Sequence, residues 1–163
     1  MIDFINLLTD DDYLFLKDKM DNFIVSDTPN GTDNFYVRSV LDVNTDLFEF
    51  RGNVEEYVNK KMGSNYTLKS MWINRITNET NQNDKFHFDS NDLTILTFLN
   101  EDFDGGYFEY KNNNQTIKFA PQTKNSIIMN DKLLHRVSPV TQGVRYTLVM
   151  FYNYIMKNQK SLI

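Results

Sequence analysis

His87-Phe88-Asp89-Ser90-Asn91-Asp92-Leu93-Thr94-Ile95-Leu96-Thr97-Phe98-Leu99 is the stretch that decides the fold, read together with His135 and Arg145 further along. Leu93 to Leu99 is apolar and β-branched, and polar residues precede it, which reads as a strand. His87 and Asp89 lie two apart, so on an extended segment their side chains share a face. The chain has only two histidines, and the other is His135. Two imidazoles and one carboxylate on one side of a metal suit non-haem Fe(II), with the opposite positions open to substrate and dioxygen. Arg145, ten residues after His135, adds a planar, permanently charged fork for a carboxylate.

Working outward, strand texture runs from about Leu68. Strands are expected at Leu68 to Ile76, Phe86 to Phe88, Leu93 to Leu99 and Tyr107 to Tyr110. Gln115 to Phe119, Ser126 to Met129, Leu134 to Val137 and Arg145 to Tyr154 follow. Turn chemistry separates them: Asp104-Gly105-Gly106, Asn112-Asn113-Asn114, Pro121, Asn130-Asp131 and Gln142-Gly143. Eight short strands so spaced predict a mainly β fold, a double-stranded β-helix (jelly roll) whose two sheets face each other around a pocket.

Helical signals precede the strands. Thr9-Asp10-Asp11-Asp12 reads as a capped helix start, and Tyr13, Leu16, Met20, Phe23 and Ile24 recur at helical spacing. Residues 26–33, with Pro29-Asn30-Gly31, read as a turn, and Phe35 to Leu41 as a short strand. A second helix is expected from Asn44 or Thr45, carrying Leu47, Phe50, Val54, Tyr57, Val58 and Met62 on one face and stopped by Gly63. The 163 residues are expected to form one domain, 1–163, with residues 1–67 an N-terminal helical brace and 68–156 the jelly-roll core.

A net charge of −5 disfavours a nucleic-acid or anionic-membrane partner, since either calls for a basic face. No cysteine is present, which excludes a disulfide framework and a thiolate metal site. The start, Met1 to Asn6, lacks the pattern of a secretory signal, and no apolar run has the length of a membrane span. A cytoplasmic location is expected. Nothing in the sequence reports oligomeric state.

The order H-x-D, several strands, a second histidine, the turn Val137-Ser138-Pro139-Val140, then Arg145 opening a last long strand resembles the 2-oxoglutarate and Fe(II)-dependent oxygenases, in their prolyl 4-hydroxylase-like branch. The resemblance covers roughly Leu68 to Tyr154. It extends to Leu93 to Asn100 before an acidic turn, to Gly105-Gly106, to Pro121, and to Ser126 to Met129 before the distal histidine. It implies that His87, Asp89 and His135 hold Fe(II), and that Arg145 binds the far carboxylate of 2-oxoglutarate. Ascorbate is admitted as an accessory reductant. Thr147, two residues on, is either a hydroxyl donor to that carboxylate or a β-branched residue filling the strand. The implied activity is hydroxylation of an unactivated C–H bond of a prolyl residue in a peptide or protein.

The chain departs from the branch in two places. Ile76-Thr77-Asn78 stands where a tyrosine contact to 2-oxoglutarate is usual, and Glu79-Thr80-Asn81-Gln82-Asn83-Asp84 replaces a tyrosine-rich, glycine-containing loop. Substrate identity therefore stays open, and a free amino acid or other small molecule competes with a peptide. A nucleic-acid dealkylase is disfavoured, because Phe151 stands where a second arginine is usual. Outside catalysis, the alternative is a silent jelly-roll binding module. Trp72, Phe86, Phe88 and Phe98 are expected in the core or at the substrate mouth, and Asn74 and Arg75 facing either substrate or solvent. Arg136 is expected to point away from His135, and Glu101-Asp102-Phe103-Asp104 to form a solvated loop.

Overall fold

In chain order, the computed structural model contains β1 (Ile2–Ile5), α1 (Asp10–Asp21), β2 (Val37–Val40), α2 (Phe48–Met62), β3 (Tyr66–Thr77) and β4 (Leu93–Phe98). There follow β5 (Asp104–Gly105), β6 (Phe108–Asn112), β7 (Gln115–Phe119), β8 (Ser126–Asn130), β9 (His135–Val137), β10 (Val140–Gln142) and β11 (Val144–Tyr154). The structure describes residues 2–23, 37–42, 46–63, 65–80 and 85–155.

Six strands form a large antiparallel sheet in the order β1-β8-β4-β11-β3-β2, and β7-β6-β9 and β10-β5 form smaller ones. Every residue of β4 is buried, so both faces of the large sheet are covered at its centre. Strand alternation sorts the side chains between these faces. Met71, Ile73, Ile95, Ile128, Leu148 and Met150 pack with Leu16, Phe50, Val54 and Val58 of the two helices. Leu96, Phe98, Ile127, Met129 and Val149 face the other way and pack with Phe108, Tyr110 and Phe119 of the small sheet. Two antiparallel sheets facing across an apolar layer, with helices bracing the outside of one, make the jelly roll expected.

The brace forms for local reasons. Thr9 Oγ1 accepts from Asp12 N at 3.1 Å, and acids fill the first turn of α1. Gly63, at φ 63°, ends α2 in the left-handed conformation. Asp3 on β1 takes hydrogen bonds from Tyr57 and Lys61 of α2, tying the helix to the sheet edge. No helix among the described residues is long and apolar enough to cross a membrane.

Several elements differ from expectation. The first 67 residues contribute, besides two helices, strands β1 and β2 to the large sheet. β1, β5 and β10 were not expected: they are two to four residues long, below the length at which alternation is visible. Phe86 to Phe88 is not a strand. It is a single bridge in which His87 and His135 exchange both backbone hydrogen bonds, at 2.9 and 3.0 Å. Helix α2 begins at Phe48, after Leu47 in the left-handed conformation with no side-chain cap. The expected caps Asn44 and Thr45, Ile24, the turn at 26–33, Phe35 and loop residues 81–84 lie outside the described residues.

Candidate metal centre and cosubstrate pocket

The bridge between His87 and His135 sets the two imidazoles side by side, with ring centroids 4.6 Å apart. Asp89, two residues on from His87, completes a group whose ligand atoms all lie within 4.8 Å of one another. Each histidine has its Nδ1 against the carbonyl two residues upstream: His87 against Lys85 at 3.0 Å, His135 against Leu133 at 2.9 Å. Donation from Nδ1 fixes the tautomer and leaves each Nε2 lone pair free. Those Nε2 atoms each stand 3.8 Å from an oxygen of Asp89. Burial, foremost, lowers the pKa of His135, which favours the neutral ring a metal needs. Thr94 Oγ1 donates to Asp89 Oδ2 at 2.6 Å, orienting the carboxylate. Sequence reasoning placed Thr94 only in a strand; its shared parity with Leu96 and Phe98 was the available signal.

The triad opens on a cavity of about 480 Å³. Trp72, Leu96, Met129, Val149 and Phe151 form its apolar wall, and Asn74, Ile76 and Arg145 line it on the adjoining strands. Arg145 is 1% exposed. Its guanidinium lies over the Phe98 ring, 5.4 Å from the centroid, and Nη1 donates to Thr147 Oγ1 at 3.4 Å. Nε and Nη2 have no partner among the described residues. Burial alone pulls the Arg145 pKa down to about 9. A buried cation facing a cavity with unused donors fits an anionic ligand, because an unpaired buried charge is strongly unfavourable. Thr147 is fully buried beneath Arg145 and is not among the cavity walls.

The remaining predicted residues fall into place around this site. Trp72 pairs with Phe151 at 4.9 Å on the wall, and Phe88 lines the mouth at 58% exposure. Phe98 is core, and Phe86 carries Lys111 and Arg136 on its ring. Arg136 turns away from His135, with Nε 2.8 Å from Glu109 Oε2, and clasps β9 to β6. Gly106 packs against the stem of Arg145: a Cβ there would lie 2.8 Å from Arg145 Cδ. In the acidic turn, Glu101 accepts from Thr123 N at 2.7 Å and Asn100 donates to Asp102 at 2.7 Å.

Residues 71–153, just over half of the chain, match the family model of the 2OG-Fe(II) oxygenase superfamily. The chain belongs to that superfamily, whose members use Fe(II) and 2-oxoglutarate. Comparison with curated proteins gives no match. Among solved structures, a viral collagen prolyl hydroxylase from Paramecium bursaria Chlorella virus 1 aligns with a TM-score of 0.70 and 16% identity, over 94% of this chain and 90% of that one. A prolyl hydroxylase from Trichoplax adhaerens, solved with a hypoxia-inducible factor peptide fragment, aligns at 0.70 and 14% identity, over 93% and 83%. The epimerase SnoN from nogalamycin biosynthesis aligns at 0.71 and 9% identity, over 93% and 78%. At these identities the likeness is one of fold.

Proposed function

We propose that this chain, acting as one oxygenase domain, hydroxylates an unactivated C–H bond of a prolyl residue in a peptide or protein. His87, Asp89 and His135 would hold Fe(II), and Arg145 would pair with the distal carboxylate of 2-oxoglutarate. When bound, iron and cosubstrate supply the oxidising chemistry: dioxygen is consumed, 2-oxoglutarate leaves as succinate and carbon dioxide, and one oxygen atom ends in the product hydroxyl. The protein's own part is positioning and shelter. The two Nδ1 contacts and Thr94 orient the ligands, Arg145 fixes one end of the cosubstrate, and the apolar wall keeps water from the reacting carbon.

One observation carries the choice of substrate. Among the described lining residues, Asp89 and Arg145 are the only charged side chains, and metal and cosubstrate would use both. Among the described lining residues no charge is left to meet the ammonium or carboxylate of a free amino acid, or the phosphates of a nucleic acid. A prolyl residue within a peptide is uncharged, and its ring suits the Trp72–Phe151 wall and the exposed ring of Phe88.

The test is succinate release, and a mass gain of one oxygen, with Fe(II), 2-oxoglutarate and a proline-containing peptide, with free proline alongside. Peptide-dependent turnover that His87→Ala abolishes is the expected result. Full turnover in His87→Ala would overturn the ligand assignment, and turnover of free proline alone would overturn the substrate assignment.

A further inference from the structure

Beside the metal triad the cavity wall carries an oxidisable side chain that hydroxylation of a peptide does not use. Met129 on β8 lines the cavity and is 1% exposed. In the sheet register it stands directly across from Thr94, and directly opposed side chains have Cβ atoms about 5 Å apart. Thr94 in turn donates to Asp89 Oδ2 at 2.6 Å. One cross-strand step therefore separates the thioether from the hydroxyl that orients a metal ligand. Met71 and Met150 are buried on the helix side of the large sheet, and Met20 packs against that same layer. Among the described lining residues Met129 is the one thioether.

Resting on the iron and cosubstrate assignment above, we propose that Met129 is a site of self-modification. With 2-oxoglutarate and dioxygen present and no peptide in the cavity, its sulfur takes up the oxygen atom that would otherwise reach a C–H bond. The O–O bond and the C1–C2 bond of 2-oxoglutarate break, carbon dioxide leaves and one oxygen atom enters succinate. The other forms an S–O bond, and the sulfur gives up two electrons to become a sulfoxide. No proton moves, because a thioether offers a lone pair where hydroxylation must break a C–H bond. Two rings stand near enough to compete. Phe151 faces Thr94 from β11, and Trp72 lies a strand further away on β3. Oxygen transfer to either would disrupt an aromatic π-system, so the sulfur is the easier acceptor. Burial also shields Met129 from oxidants in solution, since oxidation follows exposure. An oxygen found there marks an oxidant made inside the cavity.

Peptide mass spectrometry reads the outcome on the protein itself. The chain is incubated with Fe(II), 2-oxoglutarate and isotope-labelled dioxygen, with and without a proline-containing peptide, and succinate is measured alongside. Catalase removes free peroxide throughout. Without peptide, one labelled oxygen atom is expected on Met129 and none on Met71 or Met150. The label should be lost when 2-oxoglutarate is omitted or when peptide saturates the cavity. Met129→Leu, close in volume, should show no label on that segment and should still bind Zn(II), which takes the same nitrogen and oxygen ligands as Fe(II). Should that variant fail to fold, labelling of the wild type decides alone. Succinate formed with no label on Met129, or label on Trp72 or Phe151 in its place, overturns the proposal and leaves the oxygenase reading intact. Label that persists without 2-oxoglutarate, under saturating peptide, or on the same segment in Met129→Leu does the same. No succinate with or without peptide overturns both.

Discussion

Replacing Arg145 by methionine should move stability and ligand affinity in opposite directions. The guanidinium is fully buried, and burial lowers its pKa to about 9. At about 1.4 kcal/mol for each tenfold change in proton affinity, holding that charge inside the ligand-free protein costs about 5 kcal/mol. Methionine keeps an apolar stem and removes the charge over Phe98, at the expense of some empty space. A net gain of about 1–3 kcal/mol is expected in the ligand-free protein, or about 3–10 °C in Tm for a chain of this size. Because a guanidinium keeps its proton, the gain should not change across the alkaline range in which the protein stays folded.

With cosubstrate the sign reverses. At Zn(II) saturation and 2-oxoglutarate one hundredfold above its Kd, wild type should gain about 2.7 kcal/mol beyond the metal's own effect. Arg145→Met strands a carboxylate with no cation, a loss of about 3–5 kcal/mol, so that gain should vanish. Thermal melts with and without each ligand measure every quantity involved. A variant that melts several degrees below wild type without ligand, and is still stabilised by 2-oxoglutarate, would refute the idea that Arg145 is an unpaired cation awaiting an acid.

Thr94→Val keeps the strand and removes the donor to Asp89, so metal affinity should fall about 10–100-fold, read by competition with a chelator, while the metal-free Tm stays put. Gly106→Ala, at φ 60°, would set a methyl 2.8 Å from both Arg145 Cδ and Phe103 Cε2. A stability loss of about 1–3 kcal/mol in urea titration, with weaker 2-oxoglutarate binding, is expected. Asp3→Asn should lower Tm by about 1–3 °C at neutral pH, since an exposed ion pair is worth at most about 1 kcal/mol. Lys61 and Tyr57 hold the Asp3 carboxyl below its ordinary 3.8. Its contribution is therefore present above that value and lost as the pH falls through the lowered one, so wild type and variant should converge in acid melts.

The metal triad was legible because its three residues are scarce or tightly spaced: two histidines in the chain, and an acid two residues from one of them. The long strands β3, β4 and β11 were legible because apolar runs of that length outvote their neighbours. The short strands were not. β1 is Ile-Asp-Phe-Ile, and only its pairing with Ile127, Ile128 and Met129 of β8 makes it a strand. The expected strand at Phe86 to Phe88 failed because pairing there is confined to His87, and Phe88 is left 58% exposed. Thr147 was legible as a neighbour of Arg145 by parity, but its depth was not, because spacing gives a face and says nothing of what lies above it. Thr94 matters through its bond to a loop acid, Asp89, and one sequence does not state that pairing.

The position of the site follows from the core rather than from the site residues. On β11, Leu148, Met150 and Tyr152 face the helices, and Arg145, Thr147, Val149 and Phe151 face the small sheet. A slip of one residue would exchange the two sets. It would turn three fully packed apolar side chains out of the helix layer, each worth about 1.5–3 kcal/mol. It would also drive the guanidinium into the hydrocarbon between sheet and helices. The same alternation on β3 sends Met71 and Ile73 to the helices and Trp72 and Asn74 to the cavity. The helix-facing hydrophobic set thus holds the register that turns Arg145 and Asn74 inward. Substitutions that loosen that set are expected to weaken 2-oxoglutarate binding from a layer away, without touching a single residue of the pocket.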